Sequence, residues 1–382
     1  MKLTLKVQAS ICDSQSKVNA LVNRCVAHGI DEIVYSIGSG IVYCKSDLID
    51  PAVDVEQFDP LAALIMASFS VGIKVHAWMS WGIIPKYWTE KLSSVYPEWD
   101  VATLGNPFPA DFHFLDWRQP TVAPFTAAFA SEILGNYSGL SGLTYDYFRY
   151  GFWSGNPYEV WDLYGVDCQS YVQAAAAQTM NAITAAGPQY TFSLHGFADY
   201  YGLYMGQSWD KLLDAGVFHL VYPMAYYDSS HTFGVSTPDT LEWAIASWAE
   251  KYRPKLVPVI SSLNFDGGEV LKAPADFAAQ VGLCSAFPRI GIFDQRVSDA
   301  QLSTIASSPE APSSLSATSV SRTRIDLAWV DNSNNETGFK IERSLNGTSW
   351  AQIATVGAGI TSYNDTGLTC GTTYYYRVCA YN

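Results

Sequence analysis

Gly142-Leu143-Thr144-Tyr145-Asp146-Tyr147-Phe148-Arg149-Tyr150 is the stretch that decides the fold. It starts apolar and ends aromatic and charged, as a short strand running into a loop does. With a period of two, Leu143 and Tyr145 share one face and Thr144 and Asp146 share the other. In a closed parallel barrel the first pair faces the covering helices. Asp146 then points inward at the C-terminal end of the strand, with Arg149 just beyond it. That end is the active-site face of an α/β barrel. A carboxylate held there is a candidate for chemistry, because buried acids without a task are uncommon. The competing reading is a capping aspartate that satisfies loop amides and pairs with Arg149.

Outward from this stretch, residues 1–307 repeat strand then helix. Strands are predicted at 3–9, 31–36, 74–81, 190–195, 218–224, 255–263 and 289–294, with the strand of the 142–150 stretch fourth in order. Helices are predicted at 14–28, 59–70, 121–134, 169–185, 209–215, 240–251, 274–282 and 299–307. Gly29 and Gly72 stop the first two. About eight βα units in some 300 residues is the size and order of a (β/α)₈ TIM barrel. The rival doubly wound sheet would show a Gly-rich phosphate turn after its first strand, and this chain has none there. The long loops at 82–118 and 151–166 carry Trp, Tyr and Pro, and loops of that length usually bind something.

A Pro/Ser linker, 308–314, ends the barrel pattern. Short alternating strands follow at 325–330, 339–344, 350–356 and 373–380, the pattern of a β-sandwich. The stretch Ile325-Asp326-Leu327-Ala328-Trp329, then Gly338–Ser344, then Leu368 with Thr372–Val378, resembles a fibronectin type III domain over residues 315–382. The resemblance implies a core Trp329 and a tyrosine corner. It also implies a further strand after residue 382, so this module reads as incomplete and the chain as a fragment of a longer one.

Composition narrows the function. The 12 Trp and 24 Tyr are many for 382 residues, and exposed flat rings suit the apolar faces of sugars. A formal charge of −14 with no Lys/Arg cluster argues against nucleic acid and anionic membrane, because both need a basic patch. No apolar run approaches the roughly 20 residues of a membrane span. The N-terminus enters a strand pattern without a secretory signal. The seven Cys are scattered and odd in number, so no disulfide framework is implied. Cys12, Cys25, Cys44, Cys168 and Cys284 read as small core residues. Cys370 and Cys379 are too far apart along extended chain to bridge easily. No ligand spacing suggests a metal, and no cofactor is expected.

The barrel is similar to the glycoside-hydrolase-like barrels that include the glycosidase domain of poly-N-acetylglucosamine export proteins. The resemblance rests on Phe58–Leu61, Gly72–Trp78, Leu115-Asp116-Trp117, Gly142–Tyr150 and Pro223–Tyr226. It implies a polysaccharide substrate at an extracellular or cell-surface location. The family often has His where Thr144 stands. The run Met224-Ala225-Tyr226-Tyr227-Asp228 also resembles the sixth-strand end of chitinase-like barrels. That likeness implies an N-acetylhexosamine whose acetamido group is oriented by Tyr226 and Asp228 while Asp146 protonates the leaving oxygen.

Glycoside hydrolysis usually needs two carboxyl groups flanking one bond. Asp146 is the principal candidate, and Asp228 and Asp294 end the sixth and eighth strands. Arg149 either holds a substrate group or lowers the pKa of Asp146, which would suit a base or nucleophile. Tyr147, Trp78, Trp81, Trp153 and Trp161 are candidates for lining a sugar groove. Trp81 and Trp153 lie past their strands and read as stacking residues, whereas Trp78 fits core or groove equally. His195 ends the fifth strand and is a site candidate. His76, mid-strand, reads as a satisfied core residue. The resulting expectation is a glycoside hydrolase with Asp146 as its main carboxyl. The alternatives are a non-catalytic carbohydrate-binding barrel and a structural or adhesion protein. Sequence sets no oligomeric state.

Overall fold

The computed structural model describes residues 1–38, 44–49, 57–81, 115–146, 168–197, 209–224, 250–264, 270–285, 287–293, 296–306, 309–333 and 336–381. Eight parallel strands close a barrel: β1 (Lys2–Val7), β2 (Glu32–Gly38), β3 (Lys74–Ser80), β4 (Gly142–Asp146), β5 (Thr191–Phe197), β6 (Leu220–Met224), β7 (Val259–Ser261) and β10 (Arg289–Phe293). They follow one another round the wall in chain order, and β10 closes on β1. A two-stranded hairpin, β8 (Leu263–Asn264) with β9 (Val270–Leu271), interrupts the numbering.

Alternation sorts the side chains. Leu3, Leu5, Val7, Ile33, Tyr35, Val75, Leu143, Tyr145, Phe192 and Leu194 are buried on the outer, helix-facing side. Helices α1 (Gln15–Ala27), α2 (Pro60–Phe69), α3 (Val122–Asn136), α4 (Cys168–Ala186) and α5 (Trp209–Asp214) alternate with these strands. Asp59 caps α2 by accepting from the Ala62 amide at 2.9 Å, and Pro60 opens its first turn. The Tyr145 hydroxyl donates to the Thr126 carbonyl of α3 at 2.9 Å, so β4 is fastened to its covering helix. On the lumen side Val34, Trp78, Leu220, Tyr222, Val257 and Val259 pack together, with Phe293 against them. Strands buried on both faces explain the nearly continuous apolar runs.

Gly142 is required where β4 meets β5. A Cβ there would lie 2.0 Å from the Thr191 carbonyl oxygen. The seventh strand is shorter than its apolar run suggests. Pro258 contributes no amide, and past Ser261 the chain turns into β8, where the Leu263 amide donates to Ser261 Oγ at 3.0 Å.

The chain divides into two compact units. Residues 2–272 with 287–297 form the barrel unit. The other holds Met1, 273–286 and 298–382, including α6 (Pro274–Leu283) and α7 (Asp299–Ala306). In it β11 (Ser313–Ser321), β12 (Arg324–Val330) and β15 (Ser362–Thr366) form one antiparallel sheet. Strands β14 (Ala351–Gly357), β13 (Gly338–Ser344) and β16 (Tyr375–Tyr381) form a second. Leu327, Trp329, Phe339 and Ile341 make the core of this module. The Tyr374 hydroxyl accepts from the Thr369 amide at 3.1 Å, which is the expected tyrosine corner. Cys370 and Cys379 are free thiols.

Candidate active site

The lumen is built from every second residue of the strands. At the N-terminal end of the barrel, Glu32 of β2 is buried and takes Arg289 Nη1 of β10 at 3.3 Å. Thr4 Oγ1 of β1 donates to the same carboxylate at 3.3 Å. This is a closed polar plug that keeps the lower end of the lumen filled. His76 of β3 is buried too, but neither ring nitrogen has a hydrogen-bond partner among the described residues. The expectation of a satisfied core histidine is therefore met in part: His76 is core, but its ring has no hydrogen-bond partner among the described residues. Burial holds its pKa down at about 4, with Glu32 opposing the shift and Lys74 and Arg289 adding to it.

Higher in the lumen sits a tighter group. Lys6 of β1 is fully buried, and its Nζ donates to Nδ1 of His195 at 2.7 Å. The same ammonium lies 3.9 Å from the centre of the Trp78 ring and 5.1 Å from that of Phe293. His195 is stacked on two rings. Trp78 lies 5.6 Å away at 18°, and Tyr222 lies 5.0 Å away at 1°. Burial, then the Lys6 charge, holds the imidazole well below the usual histidine range, so it is neutral. Trp78 Nε1–H has no hydrogen-bond partner among the described residues.

Asp146 ends β4 on the Thr144 face, and it is buried. Thr144 Oγ1 and Ser193 Oγ meet at 2.8 Å across β4 and β5. Tyr145 pairs with Leu194, so the next step of the register sets Asp146 beside His195. Lys6, Trp78 and His195 thus meet in the lumen, and Asp146 stands on β4 two residues beyond Thr144, the register partner of Trp78. Such a group offers a carboxylate, a cation, a neutral imidazole and a flat ring to a bound molecule. Asp116, another buried carboxylate, accepts from Arg118 Nε at 2.8 Å and Nη2 at 2.7 Å, the bidentate geometry of a structural clamp.

Trp81 is not a groove residue. It continues the alternation of β3 past Ser80, which turns it outward, and its amide donates to the Asp146 carbonyl at 2.9 Å. Its ring is buried against Phe125 and Phe129 of α3 and against Tyr145, with centroids 5.2–6.2 Å apart. A position past the end of a strand does not by itself put a side chain in the mouth of the barrel. Tyr147, Arg149, Trp153, Trp161, Tyr226, Asp228 and Asp294 lie outside the described residues. Lys6 was missed by sequence reasoning. Its signal was a lysine on the Thr4 face of Leu3-Thr4-Leu5-Lys6-Val7, a face that points into the lumen once the barrel is closed. Among the described residues no cluster of three or more His, Cys, Asp or Glu could hold a metal ion, and no helix is long and apolar enough to cross a membrane.

Residues 310–382 match the fibronectin type III domain. No curated protein matches the chain. Among solved structures, it is similar to the glycoside hydrolase domain of PgaB (BpsB) from Bordetella bronchiseptica. That likeness has a TM-score of 0.58 at 13% identity, covering 80% of this chain and 98% of that one. It is also similar to an α-galactosidase from Lactobacillus brevis, with a TM-score of 0.54 at 12% identity over 100% of this chain. A GH36 α-galactosidase variant, AgaA from Geobacillus stearothermophilus in complex with raffinose, gives 0.53 at 12% identity over 98% of this chain. The chain spans 55% of each of these two α-galactosidases. At these identities the likeness establishes the architecture: this chain carries the (β/α)₈ barrel found in glycoside hydrolases, followed by a fibronectin type III domain.

Proposed function

We propose that the chain is a glycoside hydrolase of an extracellular or cell-surface polysaccharide, with Asp146 as its principal catalytic carboxyl. The observation that carries this reading is Asp146 itself, a buried carboxylate on the lumen face at the C-terminal end of a barrel strand. The same lumen holds a neutral imidazole, an ammonium and an indole whose N–H has no partner among the described residues, all suited to sugar hydroxyls. The three similar structures are all glycoside hydrolases, which supports the same reading.

In this reaction one carboxyl group gives or takes the proton at the glycosidic oxygen, and a second group stabilises the developing positive charge at the anomeric carbon. Asp146 takes one of these roles. By the likeness to chitinase-like barrels, Tyr226 and Asp228 orient the acetamido group of an N-acetylhexosamine, and Asp294 offers a further carboxyl. Arg149, Tyr147 and Trp153 would contact the sugar from the loops. No cofactor enters such a hydrolysis.

The test is reducing-end release across a polysaccharide panel, with wild type and Asp146→Asn compared at equal fold content by circular dichroism. The variant is expected to lose at least about a hundredfold in rate, the scale of a positioned acid or base. Unchanged turnover in the variant removes Asp146 from the chemistry. Glycan binding without any bond cleavage by wild type would make the barrel a binding module instead.

A further inference from the structure

We propose that Lys6 is a positioning residue that locks His195 as a neutral imidazole protonated on Nε2, and that His195 serves the sugar site beside Asp146 as a fixed hydrogen-bond donor. Only the service to a sugar rests on the glycosidase reading. The lock stands on geometry alone.

An ammonium group has no lone pair, so in the 2.7 Å contact Lys6 Nζ donates and His195 Nδ1 accepts. A neutral ring with Nδ1 as acceptor carries its hydrogen on Nε2. The rings of Trp78 and Tyr222 both stack on the imidazole, so it cannot turn to exchange its nitrogens without disturbing the lumen packing. The register sets Asp146 on the adjoining strand at the level of His195, and adjacent strands lie about 4.8 Å apart. A molecule that reaches Asp146 therefore lies within reach of the imidazole.

Among the described residues, the charged and titratable groups around His195 come from five strands. Lys6 is on β1, Asp146 on β4 and Tyr222 on β6. Deeper, Glu32 of β2 is engaged by Arg289 of β10. A proton added to His195 would put a second cation in a buried site 2.7 Å from Lys6. A general acid or base must change charge near the working pH. His195 is arranged against that, and a neutral imidazole used as a donor is a known alternative.

The experiment is nuclear magnetic resonance of the full chain labelled with ¹⁵N-histidine, following the ring nitrogens from pH 8 to pH 5. His195→Gln identifies the His195 signals. The expected result is a ring with hydrogen on Nε2 and an acceptor Nδ1 whose shifts stay level throughout. In Lys6→Met the same two signals move toward averaged tautomers, and in Lys6→Arg, which keeps a donor, they stay apart. Titration of wild-type His195 inside that window, hydrogen on Nδ1, or signals that Lys6→Met leaves unmoved would each overturn the lock. The wild-type titration decides even where Lys6→Met fails to fold. Turnover supplies a separate arm. On any polysaccharide the protein cleaves, His195→Leu is expected to lower kcat/KM about tenfold or more, one lost hydrogen bond, with His195→Gln recovering part of it. An inactive wild type with a level His195 spares the lock and removes the glycosidase reading. An active wild type with a titrating His195 does the reverse.

Discussion

At the scale of single residues, His76 makes the protein sensitive to acid. Its folded pKa of about 4 lies below the ordinary histidine value of 6.5. As pH falls through 6.5 the unfolded chain takes up a proton that the folded chain refuses. Stability is then lost progressively down to about pH 4, by about 3 kcal/mol in all. Urea unfolding at pH 7 and pH 4 should show His76→Leu losing less stability than wild type by about that amount. Its ring nitrogens have no partner among the described residues, so the apolar replacement breaks no hydrogen bond to them. Equal losses in the two proteins would mean that His76 protonates freely when folded. Residue-level legibility was uneven. Asp146 could be read because strand parity and a C-terminal position are both local properties. Lys6 could not, because its meaning depends on His195, 189 positions away. Trp81 was read as a stacking residue from its place past the strand, and parity sends it instead to the opposite side of the wall from Trp78 and His195.

At the scale of elements, the barrel strands and helices of the described residues were legible because apolar periodicity and glycine stops mark them, while residues 240–249 of the helix expected at 240–251 lie outside the described residues. The strands of the C-terminal module were less so. The sequence reading names neither β11 nor β15. Strand β11, Ser313-Ser314-Leu315-Ser316-Ala317-Thr318-Ser319-Val320-Ser321, is exposed along its whole length and begins inside the stretch read as linker. With no buried face, nothing forces an alternation onto its side chains. It is fixed by backbone pairing with β12 instead. Within the barrel, β4 and β5 depend on close approach at Gly142. Gly142→Ala forces a methyl group onto the Thr191 carbonyl oxygen, and it is expected to destabilise the barrel by about 1–3 kcal/mol or more, since backbone must move. A denaturant midpoint equal to that of wild type would show that the two strands can separate at no cost.

At the scale of the whole molecule, two compact units imply two cooperative transitions, each with its own core. Calorimetry of the full chain should resolve them. Trp329→Ala, which empties the centre of the fibronectin type III core, is expected to cost about 3–5 kcal/mol and to lower only the transition of that module. A single transition that moves as one would mean the units unfold together. The barrel wall itself works as a thin partition. The Trp81 amide holds the Asp146 carbonyl, while the Trp81 ring is wedged under α3. An aromatic scan of this protein will for that reason record a false positive. Replacing Trp81 will disturb the strand end that carries Asp146, and any activity that depends on Asp146 will fall as if a ligand contact had gone, although the ring sits on the dry side of the wall. Stability data collected alongside the rates will tell such a prop from a true sugar platform.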